Sequence, residues 1–479
     1  MKIFLIGWNT ANNDFVGAAA KLAEAGHQIL YWTGSDDAEN PPDYRKKFSQ
    51  TIFQKRSDAL AGRPAKELAK ENFEPIGEDF IANFYETESI LLAMKQYEKL
   101  NKGALEKKNL FHNWLEYWRG AINKLKPEAI IFGVWPHAGY NYVIYKLAKF
   151  LKIKTVVFEY TRLSDRMLLI NDITVGSLAL KEEMRKNKNR VFSLEDLSPD
   201  IRESFERQIN KKTDVTPPDI KMLNLRFFGK NLVTIKAKMV ARSVLDFTIF
   251  KKVYGKFKSG FQANLKKEYE KLQIRPDFNK KYVYAALHYQ PECSTSPMGG
   301  AFVDQILMVK ILSACLPEDW VIYVKEHPFQ WLPRGLKYFN YRYRGYYESL
   351  AKIKNVYLTP IKTGTIELIE KSRLVATVGG TVGWEAIIRN KPALYFGSSW
   401  YRDCPGAFKA SEVESCRRAM EAVSGGYKVN QSEVINYLYC LDKVSFHAYF
   451  EDWVKELSKL RGAEHSQSIF NALDKEIGR

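Results

Sequence analysis

The most informative segment of the sequence is Val375-Ala-Thr-Val-Gly-Gly-Thr-Val-Gly-Trp-Glu-Ala-Ile-Ile-Arg389. Residues 375–378 mostly favour β-structure, a glycine-rich turn follows at 379–383, and a helical pattern runs on from Trp384. At such a turn the backbone N–H groups are unpaired and the helix dipole favours negative charge. The segment therefore predicts a strand, a phosphate-binding turn and a helix. The alternative is a tight turn that only packs the strand against the helix.

Alternating strand and helix patterns extend in both directions from this segment. Strands are predicted at 3–6, 29–32, 129–132, 155–158, 282–286, 321–324, 356–358, 375–378 and 393–396. Such alternation indicates parallel sheets with helices on both faces. The sequence therefore predicts an α/β protein with two Rossmann-like, doubly wound domains that face a cleft. Ligands are expected at the carboxyl ends of the strands.

The chain has 479 residues, more than a single hydrophobic core normally supports. The predicted domains are an N-terminal domain at 1–180 with a helical insertion at about 36–125, a helical basic connector at 181–280, a C-terminal domain at 281–430 and a helical tail at 431–479.

The composition excludes several classes of protein. The five cysteines lie far apart without a CxxC pair, which argues against a zinc site or a disulfide framework. The N-terminus lacks a signal-peptide pattern, and no apolar run is long enough to span a bilayer. We therefore expect a cytoplasmic protein with reduced cysteines and no metal site.

A basic segment at 226–258 contributes to the net charge of +18, with nine Lys or Arg residues against the single acid Asp246. Aromatic and aliphatic residues interleave with these charges. The segment is interpreted either as a helical connector that packs on its own domains or as a surface for an anionic membrane, which would make the protein peripheral on the inner face of the cytoplasmic membrane. Nucleic acid is not expected as a partner, because no recognition motif accompanies the charge.

The loop His288-Tyr-Gln-Pro-Glu-Cys-Ser-Thr-Ser-Pro-Met-Gly-Gly300 follows the first predicted strand of the second domain. It combines an imidazole, a carboxylate, hydroxyls and glycines, whereas a solvated turn seldom needs so many different polar groups. Glu292 is predicted as an acid/base or orienting carboxylate. The predicted ligand-binding residues of this loop are His288, Gln290, Ser294 and Thr295.

Two further segments place polar groups near the same edge of the sheet. Lys325-Glu-His-Pro328 ends a strand, and the His327 imidazole could donate to a phosphate. Thr365 is predicted to cap the next helix or to contact the ligand. The predicted donor-binding residues outside the 288–300 loop are Lys325, His327, Pro328, Thr365, Gly379, Gly380, Thr381 and Glu385.

In the first domain, two polar segments follow predicted strands at 133–140 and 159–166. Either His137 or Glu159 could deprotonate a hydroxyl group. Arg162 and Arg166 suit a carboxylate or phosphate, and Asp165 is expected to face the cleft with them. The alternative is that these charged residues only pair with one another.

Together, Gln290-Pro-Glu292, Glu326-His-Pro328 and Gly379-Gly-Thr-Val-Gly-Trp-Glu-Ala386 resemble the capsule polysaccharide biosynthesis/export protein family, which is related to bacterial 3-deoxy-manno-octulosonate (Kdo) transferases. The resemblance covers residues 280–400 well and extends to the strand–loop pairs at 129–166. It implies a transferase of glycosyltransferase-B type that acts on a glycolipid, a lipid-linked or nascent glycan, or an oligosaccharide.

The resemblance also implies that His327 binds the donor phosphate, as the His-Pro pair does in transferases that use CMP-activated sugar acids. The implied donor is CMP-Kdo or a related nucleotide sugar, used as co-substrate without a separate cofactor. No Asp-x-Asp occurs in the cleft segments, so metal-independent transfer is expected. Two alternatives stay open at this point: an enzyme like UDP-N-acetylglucosamine 2-epimerase, and a non-catalytic factor for capsule assembly or export.

Overall fold

The structure of the chain is a computed structural model. It describes residues 1–8, 13–34, 47–94, 102–210, 265–331, 342–450 and 458–478, with isolated positions between them. Apart from such positions, the basic segment 226–258 lies outside the described residues. Among the described residues, no helix is both long and apolar enough to cross a bilayer.

The described strands form two sheets. In chain order they are β1 (Lys2–Ile6), β2 (Gln28–Gly34), β3 (Ile52–Lys55), β4 (Ala129–Phe132), β5 (Lys154–Tyr160), β6 (Arg166–Ile170), β7 (Lys281–Ala286), β8 (Trp320–Lys325), β9 (Val356–Leu358), β10 (Leu374–Thr377), β11 (Ala393–Tyr395), β12 (Ala407–Lys409) and β13 (Phe446–His447). The first sheet has the order β13-β6-β5-β4-β1-β2-β3, and the second has the order β12-β11-β10-β7-β8-β9.

Helices connect these strands. The described α-helices are Asn13–Glu24, Arg56–Leu60, Glu78–Ala82, Tyr85–Leu92, Ala104–Leu125, Gly139–Phe150, Leu178–Lys186, Pro199–Ile209, Leu265–Leu272, Gln305–Ala314, Tyr346–Ala351, Thr365–Lys371, Thr381–Ile387, Val413–Ser424, Gln431–Val444 and Gly462–Ile477.

Both sheets are covered on both faces. In β1, Phe4 and Ile6 join one hydrophobic cluster, whereas Ile3 and Leu5 join another on the opposite face. The side chains of β7 alternate in the same way between two clusters of the second sheet. Because parallel strands are buried on both faces, they appear in the sequence as continuous apolar runs. The predicted fold class, with two doubly wound domains, is confirmed.

The first sheet differs from the prediction at one edge. β6 runs antiparallel to β5, and β13 runs antiparallel to β6. The turn between β5 and β6 uses Arg162 and Ser164 at φ of 58° and 52°, a backbone region that non-glycine residues rarely adopt. Because both positions are occupied by residues other than glycine, the sequence contains no signal for this reversal of chain direction. The short strands β3 and β12 were not predicted either.

The C-terminal segment contributes to both halves of the molecule. Helix Gln431–Val444 packs against helix Leu178–Lys186, and β13 then joins the first sheet. Helix Gly462–Ile477 packs against helix Asn13–Glu24. The predicted helical tail at 431–479 thus extends back to the first sheet, while the predicted domain boundaries stay predictions.

Candidate functional site

A cavity of about 900 Å³ lies between the two sheets, at the carboxyl ends of their parallel strands. The predicted site residues that line it are His137, Glu159, Arg162, His288, Glu292, Ser294, Lys325, His327, Pro328, Thr365, Gly379, Gly380, Thr381 and Glu385. Gln290, Thr295 and Arg166 do not line the cavity. The strand-end rule therefore located most of the positions, although their chemical roles stay predictions.

His288 lies two residues after the end of β7 and anchors a small polar cluster. Its Nε2 lies 3.1 Å from the Thr377 hydroxyl, and its Nδ1 lies 3.9 Å from a Glu292 carboxylate oxygen. Ser294 donates its hydroxyl hydrogen to that oxygen over 2.7 Å. Thr295 is buried beneath the loop and donates to the Glu292 carbonyl oxygen, which explains why it does not reach the cavity.

Glu292 is held as a carboxylate. Burial raises its pKa, but the nearby His288 ring, the hydrogen bond from Ser294 and the charge of Arg162 lower the pKa to about 2. A group with this pKa carries no proton near neutral pH, so it is not a general acid. An unprotonated Glu292 suits the orienting carboxylate of the two predicted roles, and its role stays a prediction.

Lys325 ends β8 with a largely buried ammonium group. It donates to the Thr363 carbonyl oxygen over 2.6 Å and to the Thr365 hydroxyl over 2.9 Å. Burial lowers the pKa of Lys325 to about 8, and the nearby Glu385 opposes this shift.

Thr365 is the first residue of its helix rather than the predicted N-cap, a position that Gly364 occupies. Burial also raises the pKa of Glu385, against the charges of Arg389 and Lys325.

His327 is held in one orientation by the backbone. Its Nδ1 accepts a hydrogen bond from the Phe329 amide over 3.1 Å. The neutral ring must therefore carry its proton on Nε2. Its own amide donates to Glu326 over 2.7 Å, and its ring centroid lies 4.8 Å from that of Tyr289. An imidazole with an Nε2–H group can donate to an anion in the cavity.

Arg342 is a buried residue that the sequence analysis missed. Its guanidinium forms an ion pair with Glu326, with Nε 2.9 Å from Oε2, and it also donates to the His288 carbonyl and to the Gln290 side chain. Gln290 is thus committed to Arg342, which explains why it does not line the cavity. The local sequence Tyr341-Arg-Tyr-Arg344 gives no signal for this role, because its partners are distant in sequence.

The glycine turn packs more tightly than its sequence indicates. A Cβ atom at Gly379 would lie 2.3 Å from the Ser398 carbonyl oxygen, and one at Gly383 would lie 2.0 Å from the Tyr401 hydroxyl. A Cβ atom at Gly380 would lie 2.6 Å from the His288 ring. None of the three glycines has a positive φ. Close packing against Ser398 and Tyr401 therefore explains Gly379 and Gly383. Gly380 instead leaves room for the His288 ring, which lines the cavity.

On the opposite wall, His137 follows β4 and presents a basic nitrogen. Its Nδ1 lies 2.6 Å from the Trp135 carbonyl oxygen, which can only accept a hydrogen bond. Nδ1 therefore carries the proton of the neutral ring, and Nε2 has the lone pair. This tautomer suits a general base.

Two further charged groups, Glu159 and Arg162, line this wall. The Glu159 carboxylate pairs with Arg402, which extends from the second domain. Burial raises the pKa of Glu159, and Arg402 opposes the shift. Arg162 lies over the Tyr160 ring, 5.1 Å from its centroid, and lines the cavity.

Arg166 and Asp165 do not face the cleft, contrary to the prediction. Arg166 begins β6, and its guanidinium donates to both carboxylate oxygens of Asp200, at 2.8 and 2.9 Å. Oδ1 of Asp165 lies 2.6 Å from Nδ1 of His447. The alternative of local ion pairs is therefore correct for these two residues. Among the described residues, Asp165, Asp200 and His447 come close enough to share a metal ion. In this cluster the guanidinium of Arg166 already places a positive charge next to Asp200.

The family comparison concerns mainly the second sheet. Residues 296–425 match the model of a family described as capsule polysaccharide biosynthesis protein. This range includes β8 to β12 and the cavity residues His327, Gly380 and Glu385. The predicted resemblance to this family is confirmed for that part of the chain. No match was found among curated proteins.

Several solved structures are similar at low identity. A UDP-GlcNAc 2-epimerase from Methanocaldococcus jannaschii is 15% identical over 91% of this chain and 98% of that chain, with a TM-score of 0.25. A UDP-GlcNAc 2-epimerase from Neisseria meningitidis, bound to UDP-GlcNAc, is 12% identical over 100% of both chains, with a TM-score of 0.26. KpsC of Thermosulfurimonas dismutans, a beta Kdo 2,4 transferase, is 11% identical over 67% of this chain and 82% of that chain, with a TM-score of 0.31. With scores this low, the fold of this chain rests on its own strand order.

Proposed function

We propose that this protein is a glycosyltransferase of capsule polysaccharide biosynthesis, which transfers a sugar from a nucleotide sugar to a glycan acceptor. The observation that carries the proposal is the cavity of about 900 Å³ between the sheets, which has proton donors on one wall and a basic imidazole on the other. Ligand sites in proteins have volumes of about 300 to 1,000 Å³. The family match supports the proposal, because it covers much of the donor-side wall.

The donor nucleotide is assigned to the wall of the second sheet. His327 offers its Nε2–H group, and the ammonium of Lys325 supplies positive charge next to it. Both favour a phosphate, and both offset the negative charge that grows on a departing nucleotide. We infer CMP-Kdo or a related sugar acid as the donor, because of the resemblance that includes His327 and Pro328.

The acceptor is assigned to the wall of the first sheet. An acceptor hydroxyl oxygen attacks the anomeric carbon, the bond from that carbon to the donor phosphate breaks, and the nucleotide leaves with the bonding electrons. The hydroxyl proton passes to Nε2 of His137. We prefer His137 to Glu159 as the base, because Glu159 is already paired with Arg402. No metal ion is required in this scheme.

Two further charges have roles in the same scheme. The ionised Glu292 stabilises positive charge near the anomeric carbon, because its pKa of about 2 keeps it unprotonated. Arg162 binds an anionic group of the acceptor. The proposed acceptor is a lipid-linked or nascent glycan at the inner face of the cytoplasmic membrane, where 226–258 would contact anionic lipid.

Thermal unfolding in the presence of single nucleotides tests the proposal. CMP and CMP-sugars are expected to raise the melting temperature, since a ligand that binds only the folded state stabilises it. Stabilisation by UDP-N-acetylglucosamine alone would exclude the CMP donor and favour an epimerase-like activity. If no nucleotide stabilises the protein, the glycosyltransferase proposal fails and a non-catalytic capsule factor becomes the better explanation.

A further inference from the structure

The two histidines of the donor-side wall are joined by one buried ion pair, of which Glu326 lies in the cavity wall. The Glu326 side chain is 0% exposed and that of Arg342 is 1% exposed. Glu326 accepts hydrogen bonds from the His327 amide and from the Tyr347 hydroxyl, each over 2.7 Å. Arg342 donates to the His288 carbonyl over 2.8 Å. The ion pair therefore contacts the backbone of both histidines.

Arginine is suited to this arrangement in a way that lysine is not. The Arg342 guanidinium contacts both Glu326 oxygens, at 2.9 and 3.2 Å, and also the His288 carbonyl and the Gln290 side chain. A planar fork with five N–H groups can satisfy several fixed acceptors at once, whereas one ammonium group cannot. A buried ion pair by itself adds little stability over apolar residues, so stability alone does not explain this arrangement.

We infer that Glu326 and Arg342 are positioning residues, which fix the loops of His288 and His327 at the separation needed to bind the donor nucleotide. The ligand named in this inference rests on the proposed function. The role of Glu326 and Arg342 in holding the two imidazoles in place does not depend on the proposed function. Neither Glu326 nor Arg342 is assigned contact with the reacting atoms.

Several other groups surround the two imidazoles and enter the test. His288 faces Glu292, Ser294 and Thr377, and the charge of Arg162 also acts on Glu292. His327 packs against Tyr289 and Phe329, and Lys325 precedes it on β8. The test variants therefore leave these surrounding groups unchanged.

Nitrogen-15 NMR of the imidazole rings tests the inference in the full-length protein. The chain has seven histidines, so the His288 and His327 signals can be assigned with His→Gln variants. Arg342→Lys keeps the charge but loses the fork, and we expect the ring signals of both histidines to change. CMP affinity is then expected to fall about 10- to 100-fold. Glu326→Gln leaves Arg342 uncompensated, and we expect the ring signals of both histidines to change in this variant too.

A matched control is Glu367→Gln, which removes the carboxylate of an exposed pair with Lys371 and should change neither ring. Tyr347→Phe removes one donor to Glu326 without a change of charge, and a smaller change at His327 is expected even if Arg342→Lys fails to fold. The inference is overturned if both rings keep their wild-type signals in the folded variants. If the wild-type protein binds no nucleotide, the proposed function fails, but the ring signals still decide the inference.

Discussion

His327 and Lys325 illustrate how single residues determine the chemistry of the cavity. Lys325 is the last residue of β8, and His327 follows two residues later. The Phe329 amide holds the His327 ring, and Thr363 and Thr365 accept hydrogen bonds from the Lys325 ammonium. The imidazole is thus a fixed donor, whereas the ammonium group is a largely buried charge with a pKa lowered to about 8.

His327→Ala should weaken CMP binding while leaving the fold intact. A hydrogen bond to a charged group contributes about 1.5 to 3 kcal/mol, so the dissociation constant should increase by roughly 10- to 100-fold. Isothermal titration calorimetry measures this change, and thermal unfolding of the free variant is the control. An unchanged dissociation constant would refute the phosphate role of His327.

Lys325 predicts a pH dependence of nucleotide binding. Its pKa is lowered to about 8, so the ammonium is charged below that pH and loses its charge above it. A phosphate next to Lys325 should therefore bind more weakly as the pH rises from about 7 to about 9.5, by roughly tenfold. Lys325→Met should bind weakly at pH 7 and show no further loss. If wild-type affinity stays constant over this range, Lys325 does not contact the anion.

Sequence reasoning located residues at strand ends well but could not find their partners. His288, His327 and Gly380 follow parallel strands, and such strand ends meet at one edge of a sheet. Arg342 and Arg402 carry no local pattern, since their contacts to Glu326 and Glu159 depend on the tertiary fold. Arg166 was misplaced because the antiparallel turn that directs it away from the cavity has no sequence signal.

At the scale of elements, the turn between β10 and helix Thr381–Ile387 connects packing with the cavity. Its glycines allow Ser398, His288 and Tyr401 to approach the backbone closely. The strand, turn and helix were predicted from residues 375–389, but the helix begins at Thr381 rather than at Trp384. The sequence showed that glycine was needed here, although only the structure identifies what approaches each one.

Gly380→Ala should displace His288. The new Cβ atom would lie 2.6 Å from two atoms of the imidazole ring, so the ring or the helix must move. We expect a loss of about 1 to 3 kcal/mol in the free energy of unfolding and weaker CMP binding. Gly103→Ala is a control, because its Cβ would meet only a Glu106 oxygen at 3.7 Å. Wild-type affinity and stability in Gly380→Ala would contradict the predicted contact.

At the scale of the whole molecule, Arg402 links the two sheets. It follows β11 in the second half, yet it pairs with Glu159 of β5 and donates to the Ile173 carbonyl over 2.8 Å. The two-domain architecture could be predicted from alternating strands and helices. This link, like the return of β13 to the first sheet, joins residues too far apart in sequence to be predicted.

Arg402→Met should destabilise the protein strongly, because it leaves the Glu159 carboxylate buried without its cationic partner. Breaking one side of a buried pair costs about 3 to 5 kcal/mol in the free energy of unfolding. Urea denaturation should reveal a smaller loss in the double variant Arg402→Met, Glu159→Gln. Arg63→Met removes half of the more exposed pair with Asp58 and should cost about 1 kcal/mol or less. Strictly additive losses in the double variant would rule out coupling between the two domains through this pair.

The central claim is that the cavity between the sheets holds the nucleotide of a sugar donor on the wall of the second sheet. The most direct measurement is a crystal structure of the protein with CMP. We predict that the phosphate lies within hydrogen-bond distance of Nε2 of His327 and next to Lys325, with the basic nitrogen of His137 across the cavity. CMP bound outside this cavity, or in it with its phosphate away from His327, would contradict the claim.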